Sequence, residues 1–179
     1  MPRTPSPNRS DRRNTDPTVV TTSNHPALDL MPRPLFVLTA SYEGHRRGQL
    51  VRLVQLAATS PPTVSIALPK GCPISPLIRD SKAFGLCQIA DTDEFLERKF
   101  AHAEETGFDE GDVDPFDALE IAEGHGGSPL IARALACFDC RVTMHLDFDT
   151  DHEMYIAQVL WSSLNQNDTD PLIRIGPHM

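Results

Sequence analysis

Hydrophobic residues along this chain fall into short blocks, several with two-residue periodicity, separated by polar or Gly/Pro-rich turns. LFVLTA, beginning at Leu35, is a compact apolar run. TVSIAL sets Val64, Ile66 and Leu68 against Thr63, Ser65 and Ala67. Both patterns predict strands. SYEGHRRG reads as the turn that closes the first run, and Pro61-Pro62 as the turn that opens the second. FGLCQIA predicts another strand, as does the text from Cys137 onward. EMYIAQVLWSSL alternates Met154, Ile156, Gln158 and Leu160 against Tyr155, Ala157, Val159 and Trp161, with DFDTDH as a hairpin connection before it. Gly124-His125-Gly126-Gly127 is a further turn signal.

Helical signals are fewer. Ser75-Pro76 offers a hydroxyl N-cap and a first-turn proline for a helix over 76–81. EFLERKFAHAEE spaces Phe95, Leu96, Lys99, Phe100 and Ala103 as a helix would, and Thr106 to Pro115 reads as loop. No internal repeat is evident. Strands that outnumber helices, with turns at regular intervals, predict a mainly β chain: a barrel with a few short flanking helices. One stretch resists this reading, because Arg52 and Gln55 interrupt an apolar series of Leu50, Val51, Leu53, Val54 and Leu56.

Composition changes the picture mainly at the N-terminus. Residues 1–27 are rich in Pro, Ser, Thr, Asn and Arg, with Val19-Val20 as their only apolar pair, and read as a disordered arm. The remaining residues, 28–179, suit one domain. A formal charge of −9 for 179 residues argues against a general nucleic-acid or anionic-membrane binder. No bilayer-length apolar run and no secretory-type hydrophobic segment occur, and four cysteines are too few for a disulfide scaffold, so the expected location is the cytoplasm.

Candidate chemistry narrows by elimination. Cys137 and Cys140 form a C-x-x-C, but on a strand positions three apart face opposite ways, so structural cysteines are expected. The histidines show no metal-ligand spacing, and no metal site is expected. DEGDVDPFDALE fails as a calcium loop, with Gly111 and Val113 where oxygen ligands are needed and Asp114 at the glycine position. G-x-S-x-G, Walker A and G-x-G-x-x-G are absent. What remains is a cationic turn at Arg46-Arg47, a polar turn at Lys70-Gly71-Cys72-Pro73 and a helix start at Ser75. These are either a cradle for a phosphate-bearing ligand or ordinary solvated turns.

The order of LFVLTA, RRGQLVRL, SPPTVSIALPKG, CPISPLIRDSKAF, FGLCQIA, LERKFAHAEETGF, ALACFDCRV, DHEMYIAQV and DPLIRIG resembles the flavin reductase-like family, from about Leu35 to Gly176. The resemblance implies an FMN-binding split β-barrel of Greek-key type, forming a homodimer with FMN or FAD at its interface and NAD(P)H as reductant. It implies an oxidoreductase in which the flavin supplies the chemistry. It also implies cofactor contacts from Arg47, Gly48, Gln49, Leu50, Val51 and Arg52, from Gln55, and from Lys70, Gly71, Cys72 and Ser75, with His152 near the ring as the catalytic candidate. The departures from the family pattern are Arg47, Leu50 and Arg52 in place of Asn, Thr and Ser, Cys72 in place of Ser, and Cys87 in place of Asn. They keep open a second reading: a non-catalytic barrel that binds flavin, heme or another planar ligand.

Overall fold

The structure, a computed structural model, describes residues 26–101, 114–165 and 168–175. The expected arm lies outside the described residues except at its last two positions, which start a 3₁₀ turn over Pro26–Leu30. The first five residues of the rejected calcium loop, 109–113, and the end of the EFLERKFAHAEE helix, 102–105, also fall outside them. In chain order the strands are β1 (Arg33–Pro34), β2 (Phe36–Tyr42), β3 (His45–Val51), β4 (Val54–Thr59), β5 (Pro62–Pro69), β6 (Ala83–Gln88), β7 (Ile121–Glu123), β8 (Pro129–Ile131), β9 (Ala136–Asp147), β10 (His152–Leu164) and β11 (Ile173–Arg174). Helix α1 spans Ser75–Ser81 and α2 Glu94–Ala101.

Seven strands form one antiparallel sheet in the order β3-β2-β6-β9-β10-β5-β4. Its two edge strands, β3 and β4, are consecutive in the chain and joined only by Arg52 and Leu53. In a flat sheet they would lie about 29 Å apart, but so short a link reaches about 11 Å. The sheet must therefore curl on itself. Leu53 O accepts from Ala67 N–H of β5 at 2.9 Å, so β4 stays on its own side of the seam. The result is a barrel split between β3 and β4.

Two apolar clusters flank this wall. Inside are Phe36 and Leu38 of β2, Ile66 and Leu68 of β5, Phe84 and Leu86 of β6, and Tyr155 of β10, together with Leu77 and Ile78 of α1. Outside, Leu35, Val37, Leu50 and Ile89 pack against Leu96 and Phe100 of α2 and against Phe116, Leu130 and Ile131. Burial on both faces explains why LFVLTA is continuously apolar, whereas β5 alternates. Cys137 falls in the outer cluster and Cys140 in the inner one, as an extended strand requires. Cys137 Sγ lies 3.7 Å from Cys87 Sγ, all four cysteines are free thiols, and burial pushes the Cys140 thiol up to about 12.

Two local expectations are corrected. SYEGHRRG is not one long turn: only Glu43 and Gly44, both with positive φ, connect β2 to β3, and Tyr42 pairs with His45. Two left-handed residues give the tight hairpin twist that joins adjacent strands, so Arg46 and Arg47 lie on β3. Ser75 does not cap α1 either. Ile74 holds the N-cap position with no side-chain cap bond, and the Ser75 hydroxyl turns inward to donate to Glu153 Oε1.

Candidate functional site

The barrel's seam opens into a cleft of about 450 Å³. One wall is the end of β3 and the link across the seam, Gln49 to Leu53. The other is the end of β5 and the turn beyond it, Ala67 to Pro73, with His152 from the start of β10. That turn is closed by Cys72 N–H to Pro69 O at 3.2 Å. Gly71 has φ 79° at its third position, a geometry that favours glycine. Cys72 Sγ donates to Gln49 Oε1 at 2.9 Å and ties the two walls together.

The β9–β10 hairpin braces the turn from outside. Lys70 N–H donates to Asp151 O at 2.9 Å. Lys70 Nζ meets Asp147 Oδ1 at 2.6 Å and Phe148 O at 2.8 Å, and this contact holds the Asp147 carboxyl below its usual range. His152, which lines the cleft, has Nδ1 2.9 Å from Asp151 Oδ1, and this contact lowers the Asp151 pKa. Although the chain carries a charge of −9, among the described residues no carboxylate lines this cleft, whereas Arg52 and Lys70 do. The arrangement favours an anionic group, beside apolar surface from Val51, Leu53, Leu68, Pro69 and Pro73.

Of the residues singled out from sequence, the cleft gathers Gln49, Leu50, Val51, Arg52, Lys70, Gly71, Cys72 and His152. Five others lie elsewhere. Arg47, paired with Ala40, sits further along β3 toward the hairpin turn. Gln55 is exposed on β4 opposite Ser65. Ser75 is buried, its hydroxyl committed to Glu153. Arg46, whose charge suggested an anion cradle, is instead held by Asp114, Nε donating to Oδ2 at 2.9 Å, and lies over the Phe116 ring at 5.4 Å.

Gly48 is the fifth. It points to the outer face, where an added Cβ would come within 2.5 Å of Phe100 Cε1 and 3.1 Å of Phe116 Cζ. Its small size serves the docking of α2. Gly48→Ala should therefore destabilise the fold by about 1–3 kcal/mol, read as a lower midpoint in thermal unfolding. Leu53, Ala67, Leu68 and Pro69 also line the cleft without having been singled out, and Pro73 lines it as the last residue of the predicted polar turn. The pairing of Pro69 with His152 brings the end of β5 there, and the only hint in the sequence is that β5 runs directly into the Lys70-Gly71 turn.

A split barrel with a cation-bearing cleft at its seam defines a class of binding site. The comparisons then place the chain: the family described as Flavin reductase like domain matches residues 28–177, and the chain belongs to it. Among known proteins it is similar to the FMN reductase (NADH) RutF of Pantoea ananatis, 27% identical over 132 residues. That match covers 74% of this chain and 65% of the relative, so the chain spans just under two thirds of the relative's length. Among solved structures it resembles the NADH:FAD oxidoreductase SgcE6 of Streptomyces globisporus C-1027 (TM-score 0.73, 22% identity, 86% of this chain and 87% of that one). It also resembles the styrene monooxygenase flavin reductase SMOB of Pseudomonas putida S12 (TM-score 0.69, 23% identity, 86% and 93%). At these identities the structures establish the shared fold.

Proposed function

We propose that this chain is a flavin-binding oxidoreductase that uses reduced nicotinamide to reduce a flavin held in the seam cleft. Family membership supports this reading, as does a relative named as an NADH-dependent FMN reductase. SgcE6, of the same fold, has been solved with NAD and FAD fragments. The observation that carries it is the lining itself, which among the described residues has two cations, no carboxylate, and an apolar wall that suits a planar ring. That donor set fits a flavin nucleotide. When bound, the flavin supplies hydride acceptance and onward electron transfer. Lys70 and Gly71 would hold the ligand from the turn, and Val51, Leu53 and Leu68 would exclude water from the ring. His152, oriented by Asp151, can hold or release a proton at Nε2.

Titrating the purified chain with FMN, followed by flavin fluorescence, should show saturable binding, and NADH or NADPH should then be oxidised steadily with FMN present. Binding without oxidation would favour the non-catalytic reading, which the loss of hydroxyl and amide side chains at Leu50, Arg52, Cys72 and Cys87 motivates. Free cysteines throughout support a cytoplasmic location, and among the described residues no helix is long and apolar enough to cross a membrane.

A homodimer belongs to the same proposal. On the outer face of β9 and β10, Met144 pairs with Ile156 and Leu146 with Met154. Met144 is 51% exposed, Leu160 36% and the neighbouring Trp161 44%. An uncovered apolar sheet face of this kind marks an interaction surface, and Ala67 and His152 bring the cleft to its border. Light scattering should give a dimer mass for the wild type and a monomer mass for Met144→Arg. A monomeric wild type at micromolar concentration would end this part of the proposal.

A further inference from the structure

We propose that Arg52 makes the cleft selective for a phosphate-bearing flavin nucleotide over riboflavin, an inference that rests on the flavin reading above. The two cations that line the cleft are in different states. Lys70 is already engaged, its ammonium against Asp147 and the carbonyl of Phe148. Arg52 makes no side-chain hydrogen bond or ion pair among the described residues. By contrast Arg46 is satisfied by Asp114, Arg133 by Asp93 and Arg174 by Glu97.

The backbone under Arg52 is fixed on both sides. Val51 is buried in the inner cluster, and Leu53 O accepts from Ala67 N–H at 2.9 Å. The side chain is therefore delivered to the cleft from a rigid two-residue link rather than from a long loop. A guanidinium presents a planar fork of donors matched to phosphate or carboxylate oxygens. Because the lining holds no carboxylate among the described residues, the complementary anion comes with the ligand. Riboflavin carries none, whereas a flavin nucleotide carries a phosphate on the ribityl chain, separated from a ring that suits the apolar wall. A nicotinamide dinucleotide also bears phosphate, so the two sources must be separated by experiment.

The test uses the full chain as wild type, Arg52→Ser and Arg52→Lys, with thermal unfolding to verify that each variant is folded. FMN and riboflavin affinities are measured by fluorescence titration, and KM for NADH and NADPH is measured with a fixed flavin. The wild type should bind FMN about ten- to a hundredfold more tightly than riboflavin, the range expected of hydrogen bonds to a charged group. Arg52→Ser should remove most of that preference by weakening FMN alone, and Arg52→Lys should retain part of it. An unchanged FMN-to-riboflavin ratio in Arg52→Ser would overturn the assignment while leaving the flavin reading intact. Tighter binding of both flavins would also overturn it, by showing that Arg52 merely obstructs the cleft. A change confined to the two nicotinamide KM values would overturn it by moving the phosphate to the reductant. A wild type that binds neither flavin would sink the functional reading and this inference together.

Discussion

Glu153→Ala is expected to lower stability by about 2–4 kcal/mol, because it removes a buried carboxylate that two other side chains need. Glu153 is 6% exposed on β10. Its Oε1 accepts from Ser75 Oγ and its Oε2 lies 2.7 Å from His145 Nε2, while the His145 ring stacks on Tyr155 with centroids 4.5 Å apart. Truncation strands the Ser75 hydroxyl in the interior at the first residue of α1, directly after the turn that walls the cleft. In a chain of this size the loss corresponds to a fall of roughly 5–15 °C in thermal midpoint, measured by circular dichroism at neutral pH. Glu153→Gln keeps the shape and should lose less.

The charge gives this prediction a pH signature. Burial alone would raise the Glu153 pKa, but the hydrogen bonds from Ser75 and His145 outweigh it and hold the value below the ordinary 4.5. A carboxylate whose folded pKa is depressed stabilises the fold fully above its unfolded pKa and loses that contribution as pH falls through the folded one. Unfolding midpoints recorded from neutral pH to below pH 4.5 should therefore fall less steeply for Glu153→Gln than for the wild type. Parallel curves would show that the charge of Glu153 contributes nothing to the acid sensitivity.

What could be read from the chain tracks how locally each feature is determined. The alternation in β5 is visible because one of its faces is the barrel interior and the other is half-exposed. β3 looked like a turn because its first three residues, His45, Arg46 and Arg47, lie at a sheet edge where polar side chains cost nothing. β1, β7, β8 and β11 have two or three residues each, too few for any periodicity. The cleft was legible in outline because its walls are two continuous segments, Gln49 to Arg52 and Lys70 to Cys72. The tertiary neighbours of Ser75 and Gly48, Glu153 and Phe100, were not legible because they lie 78 and 52 positions away in the sequence. A hydroxyl before proline looks like a cap whatever its tertiary partner, and a glycine beside a binding segment looks like a ligand contact until a helix is docked on it.

The second large effect concerns that docking. Phe100→Ala removes a fully buried ring that packs on Phe116 at 5.8 Å between centroids, and should cost about 3–5 kcal/mol. The same ring is what an alanine methyl at position 48 would strike. The two substitutions must therefore couple: Gly48→Ala should destabilise the wild type but be close to neutral once Phe100 is alanine, because the methyl then enters space the ring has vacated. A double-mutant cycle from denaturant unfolding should give a coupling of about 1–3 kcal/mol, with the double variant more stable than the two single losses added together. Strict additivity would mean that Gly48 answers to something other than α2, and would reopen its candidacy as a ligand contact. The cycle also bears on function, because Gln49 to Val51 follow Gly48 directly on β3 and lead straight into Arg52. α2 sets the outward face of that strand, and the strand sets where the cleft's free guanidinium points.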